Sequence, residues 1–210
     1  MVATITASLI CYLLGSLNTA IIVGWLRGID IRAVGTKNAG ATNAWHSIGK
    51  KEGFIIGAID FIKGVSAAWW GTSIGMPVLP VAAVVVGHNW PIFFKFSGGR
   101  GVAAAIGAAS WLSPLAIVVG AVPLLTFFIY RASGAAPFFM LGLSALTGWV
   151  IYPGAITANL VMIACVYLRR VQTNWREIQK EPRRNHLLWD LFLYDRATHP
   201  KESFVDVVFG

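Results

Sequence analysis

Six apolar runs, each bounded by charge or by Gly and Pro, constrain this chain more than any single motif: 3–26, 53–72, 78–94, 114–130, 137–152 and 154–168. A helix rises about 1.5 Å per residue and a lipid hydrocarbon core is about 30 Å thick, so such runs read as membrane crossings. A shorter run, 101–112, reaches only about 18 Å. It must sit against other helices or beside a water-filled cavity, where short or broken helix is tolerated. Composition agrees: 56% of residues are apolar and 12% charged, whereas a soluble domain carries about 25% charge. Nine Trp and twelve Phe suit helices that cross membrane interfaces.

Charge placement tests the number of crossings. With seven crossings and an outside N-terminus, all 17 Lys and Arg except Lys63 fall on the cytoplasmic side, and the outer loops near 73–77, 113 and 153 hold none. That is the positive-inside pattern. Leaving out 101–112 would make the basic loops near 131 and 169 swap sides, so six crossings are rejected. The expected fold is an all-α polytopic integral membrane protein of about seven transmembrane helices, one of them short. Its N-terminus lies outside and its C-terminal tail is cytoplasmic. The net charge of +8 then reflects topology and anionic headgroups, and nucleic acid is not an expected partner. Cys11 and Cys165 fall in apolar runs and read as packing residues, with no metal spacing and no expected disulfide. The first run is long and lacks a basic leader, so it reads as a retained helix.

Three places break the apolar pattern. The first is Gly35, Thr36, Lys37, Asn38, Ala39, Gly40, Ala41, Thr42 and Asn43, followed by Gly49, Lys50 and Lys51. Gly lets backbone N–H groups approach a ligand, and Thr and Asn add donors, so such a loop opening a helix can cradle a phosphate. It reads equally as a solvated turn with a helix cap at Thr42 or Asn43. The second is Gly87, His88, Asn89, Trp90 and Pro91, then Gly98, Gly99, Arg100 and Gly101. Pro91 should end or kink the third run near His88. The Gly-Gly-Arg-Gly turn offers a helix N-terminus, exposed N–H groups and a guanidinium fork together, a clamp for anionic oxygen. Its structural alternative is a basic turn anchoring the helix at headgroups. The third is Asp60 with Lys63, one turn apart inside an apolar run, which reads as an ion pair or a proton relay. Asn174, beyond Arg169 and Arg170, is a lone polar candidate.

In this order these residues are similar to the PlsY family, the bacterial acyl-phosphate:glycerol-3-phosphate acyltransferases. The resemblance runs from about residue 8 to 178 and is carried by Leu14-Gly15-Ser16, Asp30-Ile31-Arg32, the 35–43 loop, Gly49-Lys50-Lys51, Asp60 with Lys63-Gly64, Gly87-His88 with Pro91, and Gly98-Gly99-Arg100-Gly101-Val102-Ala103. It implies a seven-helix enzyme of the bacterial cytoplasmic membrane. Such an enzyme moves an acyl group from acyl phosphate to the 1-hydroxyl of glycerol 3-phosphate, giving lysophosphatidic acid and phosphate, with no metal or other cofactor. The resemblance also implies catalytic roles for Asn43, His88, Arg100 and Asn174. A phosphate site would comprise Gly35, Thr36, Lys37, Asn38, Gly40, Thr42, His46, Gly98, Gly99 and Gly101.

Five positions depart from the family's usual residues: Thr36 stands for Ser, Lys37 for Gly, His46 for Arg, Arg100 for Lys and Val171 for His. Thr36 keeps a hydroxyl and Arg100 keeps a charge. His46 loses a fixed cation, and Val171 loses a polar group. The chain divides into a membrane domain, 1–178, and a tail, 179–210, rich in Leu, Trp, Phe and Tyr. From Arg176 onward the tail has balanced charge, so it is expected at the headgroups or against a protein partner along 183–210. The alternative function is a degenerate relative serving as a structural or lipid-binding subunit. A transporter is disfavoured by sparse intramembrane charge and no clear inverted repeat.

Overall fold

The structure, a computed structural model, describes residues 1–115, 135–150, 152 and 154–180. Among these all regular structure is helical: α1 (Val2–Ser16), α2 (Thr19–Leu26), α3 (Ala41–Ser47), α4 (Lys50–Ser73), α5 (Val78–Asn89), a 3-10 turn (Ile92–Phe94), α6 (Val102–Leu112), α7 (Ala136–Gly148) and α8 (Ala155–Lys180). Two stretches, Val2–Leu26 and Lys50–Ser73, are long and apolar enough to cross a membrane. The run 114–130, beyond its first two residues, and the tail from 181 lie outside the described residues.

The first run is not one helix. It breaks at Leu17 and Asn18, where the Asn18 carboxamide accepts the Ile21 N–H at 3.0 Å and caps α2. Pro91 acts as the sequence implied: α5 stops at Asn89 and the chain turns through Ile92–Phe94. The run 154–168 continues much further, to Lys180, because no Gly or Pro interrupts the polar residues that follow it before Pro182.

Helices meet closely through small residues. A Cβ on Gly15 would strike the Val84 carbonyl of α5, and one on Gly87 the Tyr12 carbonyl of α1. Gly64 and Gly107 bring α4 and α6 together in the same way. The interior is filled by Val81, Val84, Val85, Ala105, Ala108 and Leu112, while Leu9, Phe54, Ile62, Trp69 and Leu146 face outward. A bundle apolar on both sides suits a hydrocarbon solvent. A smaller cluster, with Ile21, Ile31, Ala39, Ala44 and Ile56, seats the segment around the first loop on α2 and α4.

Candidate active site

The first loop is organised by its own last residue. Buried Asn43 donates through Nδ2 to the carbonyls of Ile31 at 2.9 Å and of Val34 and Asn38 at 3.0 Å. Its Oδ1 accepts the Thr36 N–H at 2.9 Å and the Ser47 hydroxyl at 3.2 Å. The carboxamide therefore serves the loop, as an orphaned buried carbonyl would be costly. Gly35 has φ 56° and no room for a side chain, since a Cβ would meet Asn43 Oδ1 and Ser47 Oγ. Lys37 also adopts φ 57°, a left-handed conformation unusual for a side-chain-bearing residue, and its side chain is exposed.

Two expectations about this loop change. The cap of α3 is Gly40, with no side-chain bond, and neither Thr42 nor Asn43 fills that place. The N–H groups of Thr36, Lys37 and Gly40 are engaged inside the loop, by Asn43 Oδ1, Val34 O and Asn38 O. Only the rest of the backbone remains to face a ligand. Thr36, Lys37, Thr42 and His46 form its exposed rim, with Asn38 half-buried and Gly40 buried.

The second loop meets the first at Gly99. Its N–H donates to His88 O at 3.1 Å, and a Cβ there would collide with His88 Nε2 and Ala39 O. Only glycine permits that approach. Arg169, in the middle of α8 just past the apolar run 154–168, holds the loop from behind. Its Nη2 donates to Gly98 O at 3.1 Å, its Nε to Gly99 O at 3.3 Å and its Nη1 to Gln172 Oε1 at 2.7 Å. The guanidinium also lies 5.8 Å from the Trp90 ring, and Trp90 Nε1 donates to Gln172 Oε1 at 2.8 Å. Arg100 is buried, and Gly101, at φ 72°, leads into α6. Burial, and then the neighbouring Arg100, push the Arg169 guanidinium down to about 10.

A model of the glycerol-3-phosphate acyltransferase family matches residues 5–181. The chain belongs to that family. It is 35% identical over 181 residues to a glycerol-3-phosphate acyltransferase of Laribacter hongkongensis, covering 81% of this chain and 90% of the relative. It is 45% identical over 115 residues to glycerol-3-phosphate acyltransferase 2 of Moorella thermoacetica, covering 53% of this chain and 59% of that relative. A third relative, glycerol-3-phosphate acyltransferase 4 of Dehalococcoides mccartyi, is 36% identical and is matched over 60% of its length. The matched region thus spans about three-fifths of two of these relatives. The fold is similar to the crystal structure of PlsY, an integral membrane glycerol 3-phosphate acyltransferase, in its glycerol 3-phosphate form. There the TM-score is 0.74 at 30% identity, covering 84% of this chain and 92% of that one.

Within this acyltransferase frame the remaining candidates divide. His88 is buried beside Gly99, where the two loops approach each other. Among the described residues Asn174 makes no hydrogen bond to either loop; its bonds run to Arg170 O at 2.9 Å and Thr173 Oγ1 at 3.3 Å, both in α8. Among the described residues no group of three His, Cys, Asp or Glu could hold a metal ion. Sequence reasoning missed Asn18, whose Nδ2 donates to Ala39 O at 3.3 Å, and the clamping role of Arg169. An Asn inside an apolar run was a visible signal for the first. Nothing local marked the second.

Proposed function

We propose that this chain is a multi-pass protein of the bacterial cytoplasmic membrane with seven crossings and an outside N-terminus. In this reading it transfers a fatty acyl group from acyl phosphate to the 1-hydroxyl of glycerol 3-phosphate. The hydroxyl oxygen forms the new ester bond to the acyl carbon, the bond from that carbon to the phosphate oxygen breaks, and a substrate phosphate takes the hydroxyl proton. Lysophosphatidic acid and inorganic phosphate leave. The observation that carries the reading is the meeting of the two polar loops at Ala39 and Gly99, with buried Arg100 and Arg169 beside them. Chemistry between two anionic substrates asks for positioning and charge neutralisation more than for a strong protein base.

In this scheme Arg100 neutralises phosphate oxygens, and the rim of Thr36, Lys37, Asn38, Thr42 and His46 takes the polar end of a substrate. Asn43 and His88 hold the loops, and Asn174 closes the glycerol-phosphate side. Lys37 supplies at the rim the fixed cation that His46 lacks. The tail, 183–210, lies at the headgroups or against a protein partner.

Purified protein in detergent, given acyl phosphate and glycerol 3-phosphate, should release phosphate. Arg100→Ala should slow turnover by about tenfold or more, as expected when a charge-stabilising donor is lost. Wild-type protein without turnover sinks the reading. Strong labelling from outside intact cells of a cysteine placed at Lys37 or Ser97 sinks the orientation.

A further inference from the structure

Asp60 and Lys63 are buried in α4, at 1% and 7% exposure, and the scheme above gives them no work. Their pairing is real: Lys63 Nζ lies 3.1 Å from Asp60 Oδ1. The pair is also bound on both sides. Lys63 Nζ donates to Leu17 O at 2.6 Å and to Thr19 Oγ1 at 2.8 Å, and the Thr19 hydroxyl donates to Asp60 Oδ1 at 2.9 Å. His88 Nδ1 faces Asp60 Oδ2 at 3.7 Å, beyond hydrogen-bond reach but close enough for the charge to be felt.

The partners lie where the first run breaks. Leu17 follows the last residue of α1, and Thr19 opens α2. A carbonyl at a helix C-terminus lacks a partner within its own helix and carries negative partial charge, so an ammonium is well matched to it. Between them Asn18 reaches out to Ala39 O of the first loop. On the other side, His88 O receives the Gly99 N–H of the second loop. Two routes therefore leave the ion pair and end on Ala39 and Gly99, the two residues at which the loops touch.

We propose that Asp60, Lys63 and Thr19 form a positioning network beneath the site, which fixes the helix break and sets the two loops at the spacing that binds substrate. None of the three touches substrate. The proposal rests on the acyltransferase reading for its kinetic part only. Replacing a buried ion pair by apolar residues of similar volume is often neutral or stabilising. Folding and positioning can therefore be separated.

The test is the double variant Asp60→Leu/Lys63→Met in the full chain in detergent, read by thermal unfolding, steady-state kinetics and amide hydrogen exchange. The expected result is an unchanged or higher midpoint, with KM for glycerol 3-phosphate raised about tenfold to a hundredfold, the scale of a misplaced binding group. kcat should change less. Exchange should rise in peptides covering 33–43 and 97–101 and stay constant in α6. Thr19→Val, which leaves the ion pair in place, should shift KM and exchange in the same direction by less, and keeps the test decisive if the double variant fails to fold. Wild-type KM and wild-type loop exchange in whichever variant folds overturn the proposal. An inactive wild-type protein overturns the acyltransferase reading instead, while the exchange measurement still decides this one.

Discussion

The two loops of the candidate site are built on different principles. The 35–43 loop is held mostly from within: Asn43 binds carbonyls 12, 9 and 5 residues before it, and Asn18 adds one bond from outside, to Ala39 O. The 98–101 loop is held from outside, by an Arg169 that lies 70 and 71 residues away from the carbonyls it binds. A self-organised loop forms once its own sequence folds. A loop clamped from another helix has the right shape only after the bundle closes, so its geometry reports on tertiary assembly.

The contrast can be broken most severely where the loops meet. Gly99→Ala places a methyl against Ala39 O and His88 Nε2 together, so both loops must shift. Activity should fall by about a hundredfold or more, as for a displaced catalytic group. An active Gly99→Ala enzyme would show that the close approach is dispensable. Next in size is Asn43→Ala, which leaves the Ile31, Val34 and Asn38 carbonyls without their shared donor. A cost of about 1–3 kcal/mol for a buried polar group left unsatisfied should appear as faster amide exchange in 33–43, with the 97–101 peptide unchanged. If both loops loosen equally, the first is not self-organised. Smallest is Arg169→Lys, which keeps the charge and loses the fork. It should slow turnover by about fivefold to tenfold, the worth of roughly 1–1.5 kcal/mol, and loosen 97–101 alone. Loosening of 33–43 would erase the distinction.

The same difference explains what could be read in the sequence. The Gly-Gly-Arg-Gly turn, the stop at Pro91 and the short α6 follow from neighbours along the chain, and the structure has each of them; of the two readings of Asp60 with Lys63, ion pair or proton relay, it shows the pair. The 35–43 loop was read as a phosphate cradle or a solvated turn capped by Thr42 or Asn43; the cap is Gly40, and the Asn43 bonds that organise the loop were not foreseen. The clamp by Arg169 was invisible, because a residue 70 positions distant leaves no mark on a local pattern. The break at Leu17 and Asn18 was missed differently: apolar periodicity reports burial and both halves of the run are apolar, so Asn18 itself was its one local mark. Asn174 was singled out chiefly by resemblance and, among the described residues, its hydrogen bonds stay within its own helix.

The break in the first run also bears on how the protein is made. α1 and α2 leave the ribosome before α4, and Lys63, the donor to Leu17 O, follows that carbonyl by 46 residues. Until α4 docks, the Leu17 carbonyl in that break lacks the Lys63 ammonium that it receives in the finished fold. Ala39, which receives the Asn18 amide, also emerges later. The break is filled only when both α4 and the first loop have docked on it, so its closure depends on residues made after it.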